Sequence, residues 1–367
     1  MRKILIPTIL LLAMVQSCHN VQAPPRPTIQ LVMDLSSDTT GLREIVSGAA
    51  SVSKDGSIAI LGDPQDVIAL ARRFQGIDRM DNVNGRVRND SIPDFAGETF
   101  DAILDAANAP YTHFVRENTL DSLREAAVGG AFFAWDSTCY RLSTDHEAFL
   151  PKQRAKILVF ASSLNAEYGV FDVDTLLQLT GGKSTLISPV KVLLEDALAG
   201  GAKSIAVWTN QDVKSSRTWE KEFGRINEGD ATLAVISPAP ALDVRTMFRD
   251  FMRQYQSEGR QLDAIIIDDY DTDIAPLLSE LALIRREGTD EDAAMNRILR
   301  KNFRFIPTAE ATISYTYRLM REKNLFSHRI SRPRVKYYES GESGDGSIVF
   351  VEAASSYVLD AYVSKIR

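Results

Sequence analysis

Acidic and hydroxyl side chains recur just behind short apolar runs, and these are the places where the chain carries groups able to do chemistry. The densest is "AIIIDDYDTD", Ala264 to Asp273, in which Asp268 and Asp269 open a group of four acids behind β-forming residues. Asp34, Ser36 and Ser37 follow "IQLVM", Asp63 follows "SIAILG", and Asp136 follows "AFFAW". Ser162, Ser163 and Asn165 follow "KILVFA", while Thr209 and Asn210 follow "SIAVW". Carboxylates, amides and hydroxyls grouped in this way can hydrogen-bond a small polar molecule or act on it as general acids and bases. Trp135 and Trp208 stand just before two of these places and would supply the apolar walls that small-ligand sites use. All of these residues are candidate ligand contacts, and none has a spacing that assigns it a catalytic role.

Sharper motifs fail on particular residues. "AIIIDDYDTD" resembles the acidic motif of phosphoribosyltransferases, but Asp273 and Ile274 stand where a phosphate needs bare amides. Counted as an EF-hand, Asp269, Asp271, Asp273 and Glu280 are well placed, yet Ile274 replaces the glycine of the sharp turn. The simpler reading is that Asp268 and Asp269 end a parallel strand and a later Asp caps the next helix. "TGGKST" has Leu177 where a phosphate-binding loop needs its first glycine, so Gly181 and Gly182 read as a helix stop. His146–Glu147 lacks the second His of a zinc helix, and no dinucleotide fingerprint occurs, so neither metal nor cofactor is expected. Cys139, behind an apolar run, reads as a small buried hydrophobe. The loop "RVRNDSIPDFAGETFD" holds Asp90, Asp94 and Glu98, which could line a cleft or belong to a surface excursion.

The elements that must position these groups are legible as a pattern. "IQLVMDLSS", "SIAILGD", "AFFAWDS", "KILVFASS", "SIAVWTNQD", "TLAVISP" and "DAIIIDD" read as strands buried on both faces. Amphipathic helices such as "PQDVIALARRF", "TLDSLREAAVGG" and "SPVKVLLEDALAGGAK" lie between them. This alternation implies an α/β fold of two Rossmann-like βαβ lobes with mostly parallel sheets, plus a C-terminal hairpin and helix. The expected division is residues 28–140 for the first lobe and 141–367 for the second, which would carry the hairpin "VKYYESGESGDGSIVFVEA". An internal echo, "SIAILGDPQDV" beside "SIAVWTNQDV", suggests that the lobes share a plan.

With 367 residues, 44% hydrophobic and 25% charged, the chain can bury two ordinary cores. A net charge of −7 with mixed signs offers no basic stripe, so no nucleic-acid partner is expected. The opening "MRKILIPTILLLAMVQSC" has Arg2 and Lys3, an apolar run too short to span a bilayer, small Ser17, and then Cys18. It resembles the lipobox of bacterial lipoproteins. That resemblance implies a signal over residues 1–17, acylation of Cys18 and a tether over 18–27. The protein would then be anchored to a bilayer in the bacterial cell envelope, at the outer membrane, with an envelope transport or assembly complex as a further partner.

The two-lobed layout resembles type I periplasmic solute-binding proteins in architecture. That resemblance implies an anchored receptor closing on a small polar solute between its lobes. Two alternatives stand beside it: a small-molecule hydrolase or isomerase using Asp or Ser at strand ends, and a structural or assembly lipoprotein without a ligand.

Overall fold

The computed structural model describes residues 27–51, 54–142 and 145–363. The signal, Cys18 and most of the tether lie outside the described residues. Twelve strands are found among those described: β1 (Ser57–Gly62), β2 (Thr99–Leu104), β3 (Thr138–Leu142), β4 (Asp145–Pro151), β5 (Ala155–Ala161), β6 (Thr185–Ile187), β7 (Ser204–Trp208), β8 (Thr232–Ile236), β9 (Leu262–Ile267), β10 (Leu299–Pro307), β11 (Arg334–Glu342) and β12 (Ile348–Ala353). They form one sheet in the order β4-β3-β12-β11-β2-β1-β5-β6 and a second in the order β10-β9-β7-β8. The fold is α/β, with mostly parallel sheets.

The internal echo has a structural meaning. β1 and β7, which carry the two "SIA" sequences, are the first strands of two parallel sets, β2-β1-β5-β6 and β8-β7-β9-β10. Each therefore sits centrally, with the next strand on one side and two later strands on the other. Every residue of β1 is buried. Ile58 and Ile60 enter the layer that holds Phe74 and Phe100, while Ala59 and Leu61 enter the opposite layer beside Trp135 and Phe160. A strand covered on both faces cannot alternate apolar with polar, which is why these runs are uniformly greasy. Each large side chain so buried contributes roughly 1.5–3 kcal/mol.

Two of the expected strands are helices. "IQLVMDLSS" lies in the helix Gln30–Ser37, where Val32 and Leu35 are buried one turn apart while Met33 and Asp34 face out. "AFFAWDS" ends the sixteen-residue helix Leu120–Trp135. That helix runs through Gly129 and Gly130 without a break. A Cβ on Gly130 would come within 2.5 Å of a Leu61 methyl, so that glycine serves close helix–sheet packing. Gly181 does end its helix, in the left-handed conformation, and Gly182 N–H donates back to Leu177 O at 2.9 Å.

The sheets do not divide at residue 140. β5, β6 and the C-terminal hairpin β11–β12 all join the first sheet, where β11 pairs in parallel with β2. The second lobe is instead the block from β7 to β10. The chain enters it through the helix Pro189–Ala199 and leaves it through the helix Thr308–Glu322, which packs on the helices Pro189–Ala199 and Pro64–Gly76.

Candidate active site

A cleft of about 1080 Å³ opens between the lobes, at the carboxyl ends of the parallel strands. This is where ligands bind in open α/β sheets. Asp63 enters it behind β1, Ser162 and Ser163 behind β5, Thr209 and Asn210 behind β7, and Asp268 and Asp269 behind β9. Trp208 lines it as well, stacked on Phe251 with ring centroids 5.6 Å apart. β1 can deliver Asp63 because Gly62 is bare: a Cβ there would stand 2.6 Å from the Ala161 carbonyl oxygen of β5.

The remaining candidates lie elsewhere. Asp34, Ser36 and Ser37 do not line the cleft, because their segment is a helix whose hydrogen bonds are local: Gln30 donates to Asp34 at 2.7 Å, and both serines donate to Met33 O. Trp135 is wholly buried in the first lobe's core, and Asp136 ends its helix, accepting from Thr138 N–H at 3.0 Å. Asn165 is fully buried in the helix Ser163–Tyr168 and does not line the cleft. The two-tryptophan wall is therefore not formed by Trp135. Trp219, buried in the helix Thr218–Ile226, does not line the cleft but holds Asp268 from behind through its indole N–H.

The cleft carboxylates fall into two kinds. Asp268 is saturated: Ser163 Oγ donates to one oxygen, while Thr209 Oγ1 (2.7 Å) and Trp219 Nε1 (2.9 Å) donate to the other. Burial raises its pKa against these three donors. The Ser163 contact joins the first lobe to the second, so Asp268 is a clasp between them. Asp269 folds back on its own turn, accepting from Asp271 N–H (2.7 Å), Thr272 N–H (3.2 Å) and Thr272 Oγ1 (2.8 Å). Asp105, just behind β2, is likewise filled by Tyr111, Asn108 and Ser340.

Asp63 and Asp66 are different. They sit at the cap and in the first turn of the helix Pro64–Gly76, and both line the cleft. Asp63 accepts from Tyr111 N–H at 3.0 Å; burial and then the nearby charge of Asp105 push its pKa up to about 6. Among the described residues, no donor acts on the Asp66 carboxyl. Burial, then the charges of Asp63, Asp269 and Asp268, push it well above the usual carboxylate range. Both carboxyls of the pair therefore hold their protons above the usual carboxylate range, and it is by such environments that carboxyls are fitted for acid and base work.

Sequence reading missed Asp66, although a signal existed. In "DPQDV" the helix begins at Pro64, and a residue three beyond its cap shares the cap's side of the first turn. Nothing local marked Tyr270 or Tyr362, which line the cleft, or Trp219, which supports Asp268 from behind it; all three arrive only through tertiary packing. Cys139 is buried on β3, where burial raises its thiol pKa, and it does not line the cleft. Asp90, Asp94 and Glu98 also lie outside it. No group of three or more metal-ligating side chains is arranged to hold an ion among the described residues.

No family model matches the chain, and no curated protein matches it in sequence. Similarity appears among solved structures. The glutamate racemase of Francisella tularensis, determined in complex with D-glutamate, superposes with a TM-score of 0.50 at 12% identity, over 80% of this chain and 91% of that one. The glutamate racemase isoform RacE1 of Bacillus anthracis gives 0.48 at 16% identity, over 85% and 95%. The aspartate racemase of Picrophilus torridus gives 0.39 at 10% identity, over 74% and 99%. The first of these likenesses corrects the reading of the chain as a solute-binding receptor. The first establishes a shared two-lobed α/β fold.

Proposed function

We propose that this chain is an isomerase that moves a proton on carbon in a small polar substrate held between the lobes. The observation that carries this is the Asp63–Asp66 pair: two carboxyls that line the cleft with a single protein donor between them, both raised above the usual carboxylate range. Asp63 takes the proton from a carbon beside a carbonyl or carboxyl group, and the electron pair moves onto that group's oxygen. Asp66 then delivers its own proton to the substrate. A base whose pKa lies near the working pH is matched to this step, and general acid–base catalysis of the kind contributes about 10²–10⁴ in rate.

The racemase-like fold supports an isomerase over a hydrolase. So does the state of the hydroxyls. The Ser163 proton is committed to Asp268, and no His among the described residues lines the cleft to activate a serine. The test is proton NMR of the full chain in D₂O with a panel of small carbon acids. Wild type is expected to exchange one C–H for deuterium in its substrate, and Asp66→Asn to lose that exchange. Wash-in at an unchanged rate in Asp66→Asn refutes the assignment.

For location, we propose the bacterial envelope, on the strength of "MRKILIPTILLLAMVQSC" alone. Cys18→Ala is expected to leave an unprocessed, unacylated precursor; normal processing and acylation of that variant would contradict it.

A further inference from the structure

The charged side chains that line the cleft are all of one sign. Asp63, Asp66, Asp268, Asp269 and Asp271 line it, and among the described residues no Lys, Arg or His does. A cavity of about 1080 Å³ is large enough for a whole small molecule, so these acids border a real enclosure. The usual device for accepting an anion in such a fold is a helix N-terminus. Here those termini do not favour an anion, one because of adjacent carboxyls and the other because a side chain already caps it. The first turn of Pro64–Gly76 has Asp63 and Asp66 beside it, and Asn210 accepts from Val213 N–H at 2.9 Å at the start of Gln211–Ser216. The walls add aromatic faces from Trp208, Tyr270 and Tyr362, which attract cations through their π-clouds.

We propose that the substrate of this site carries a net positive charge on an ammonium or guanidinium group, and that this group docks at the acidic wall of Asp63, Asp66 and Asp271 beside the aromatic side chains. The inference rests on the isomerase reading for the word substrate, but not for the charge. Asp268 and Asp269 already accept from protein donors, so the acceptors left to a ligand belong to Asp63, Asp66 and Asp271. An all-acidic wall with no Lys, Arg or His beside it among the described residues is complementary to a single positive group. A dicarboxylate such as the D-glutamate bound by the Francisella racemase would meet like charge with no cation to receive it.

The experiment is a titration of intrinsic tryptophan fluorescence in the full chain, since Trp208 lines the cleft and Trp219 donates to Asp268. The probes are lysine, ornithine and arginine, each as both enantiomers, with Nε-acetyl-lysine and glutamate as neutral and anionic partners. At least one cation is expected to give a saturable shift, weakened tenfold or more by acetylation and by Asp63→Asn, and reduced by added salt. Glutamate binding as tightly as the best cation overturns the proposal, and so does a flat response to every cation. Deuterium exchange run on the same panel separates the two readings. A cation that binds without exchange sinks the isomerase reading and leaves the charge class standing. Exchange confined to glutamate or acetyl-lysine sinks the charge class and leaves the isomerase.

Discussion

The loop between the helix Pro64–Gly76 and β2 is as rich in acids as the interlobe cleft, yet the fold supplies donors to the loop's acids and leaves two of the cleft's almost without them. In the loop, Asp94 accepts from Arg79 N–H (3.0 Å) and Met80 N–H (2.9 Å), and Asp90 from the N–H groups of Asn82 and Ile92, both at 2.9 Å. Asp81 accepts from Val83 and Asn84, chiefly the Asn84 N–H, and its pKa falls. Glu98 is held by Lys156 at 2.5 Å and by Ser327 N–H at 2.7 Å, while Lys156 also donates to Lys54 O and Leu325 O. In the cleft, Asp66 receives no donor among the described residues and Asp63 receives one. Residue type is the same in both regions, and the supply of hydrogen-bond donors decides what it does. Where donors are plentiful, a carboxylate is a staple for a long connection; where they are withheld, it keeps a proton that it can give away.

Substitutions that interchange these conditions should break the contrast in a set order. The largest effect is expected in Asp66→Asn, which removes the acid while keeping its shape. Turnover should fall about 10²–10⁴-fold, with the melting temperature unchanged or raised, measured by exchange kinetics beside thermal unfolding. Next comes Glu98→Ala, which leaves the Lys156 ammonium buried without its carboxylate, facing only the Lys54 and Leu325 carbonyls. It should cost about 3–5 kcal/mol in urea unfolding, whereas replacing both partners by Met should cost far less.

The cleft should show the reverse sign. A folded-state pKa raised to about 6 means that native Asp63 keeps its proton where the unfolded chain has lost it. Its contribution to stability therefore declines as pH rises from about 4 to about 6. Asp63→Asn should stabilise the chain at pH 8 by up to about 2 kcal/mol and flatten that pH dependence, while turnover is lost. In wild type, kcat/KM should fall as pH drops below about 6, where the base is protonated. The smallest effect is expected in Asp90→Asn, in an exposed turn that an amide oxygen can still cap. Its change in stability should stay under about 1 kcal/mol, with activity untouched.

How far the sequence could be read follows from which forces are local. β1, β5, β7, β8 and β9 were legible because strands covered on both faces must be uniformly apolar. The same rule misread "AFFAWDS", since a helix wedged between a sheet and its neighbouring helices is equally apolar over one or two turns. Only packing distinguishes them, as when Gly130 admits Leu61. The return of β11 and β12 to the first sheet was hidden because strand pairing across more than two hundred residues leaves no local mark. Of the candidate site, the residues immediately behind β1, β5, β7 and β9 were found as strand ends. Asp66 lies one turn into a helix, and Trp219 comes from a helix whose own sequence says nothing of Asp268.

The central claim is that withholding donors from Asp66 makes it a proton carrier. The most direct measurement is the rate of deuterium wash-in to substrate carbon, compared between wild type and Asp66→Asn. Exchange in wild type that drops at least a hundredfold in the folded variant is what this account predicts. Equal rates in the two proteins, or turnover in wild type with no wash-in at all, would contradict it.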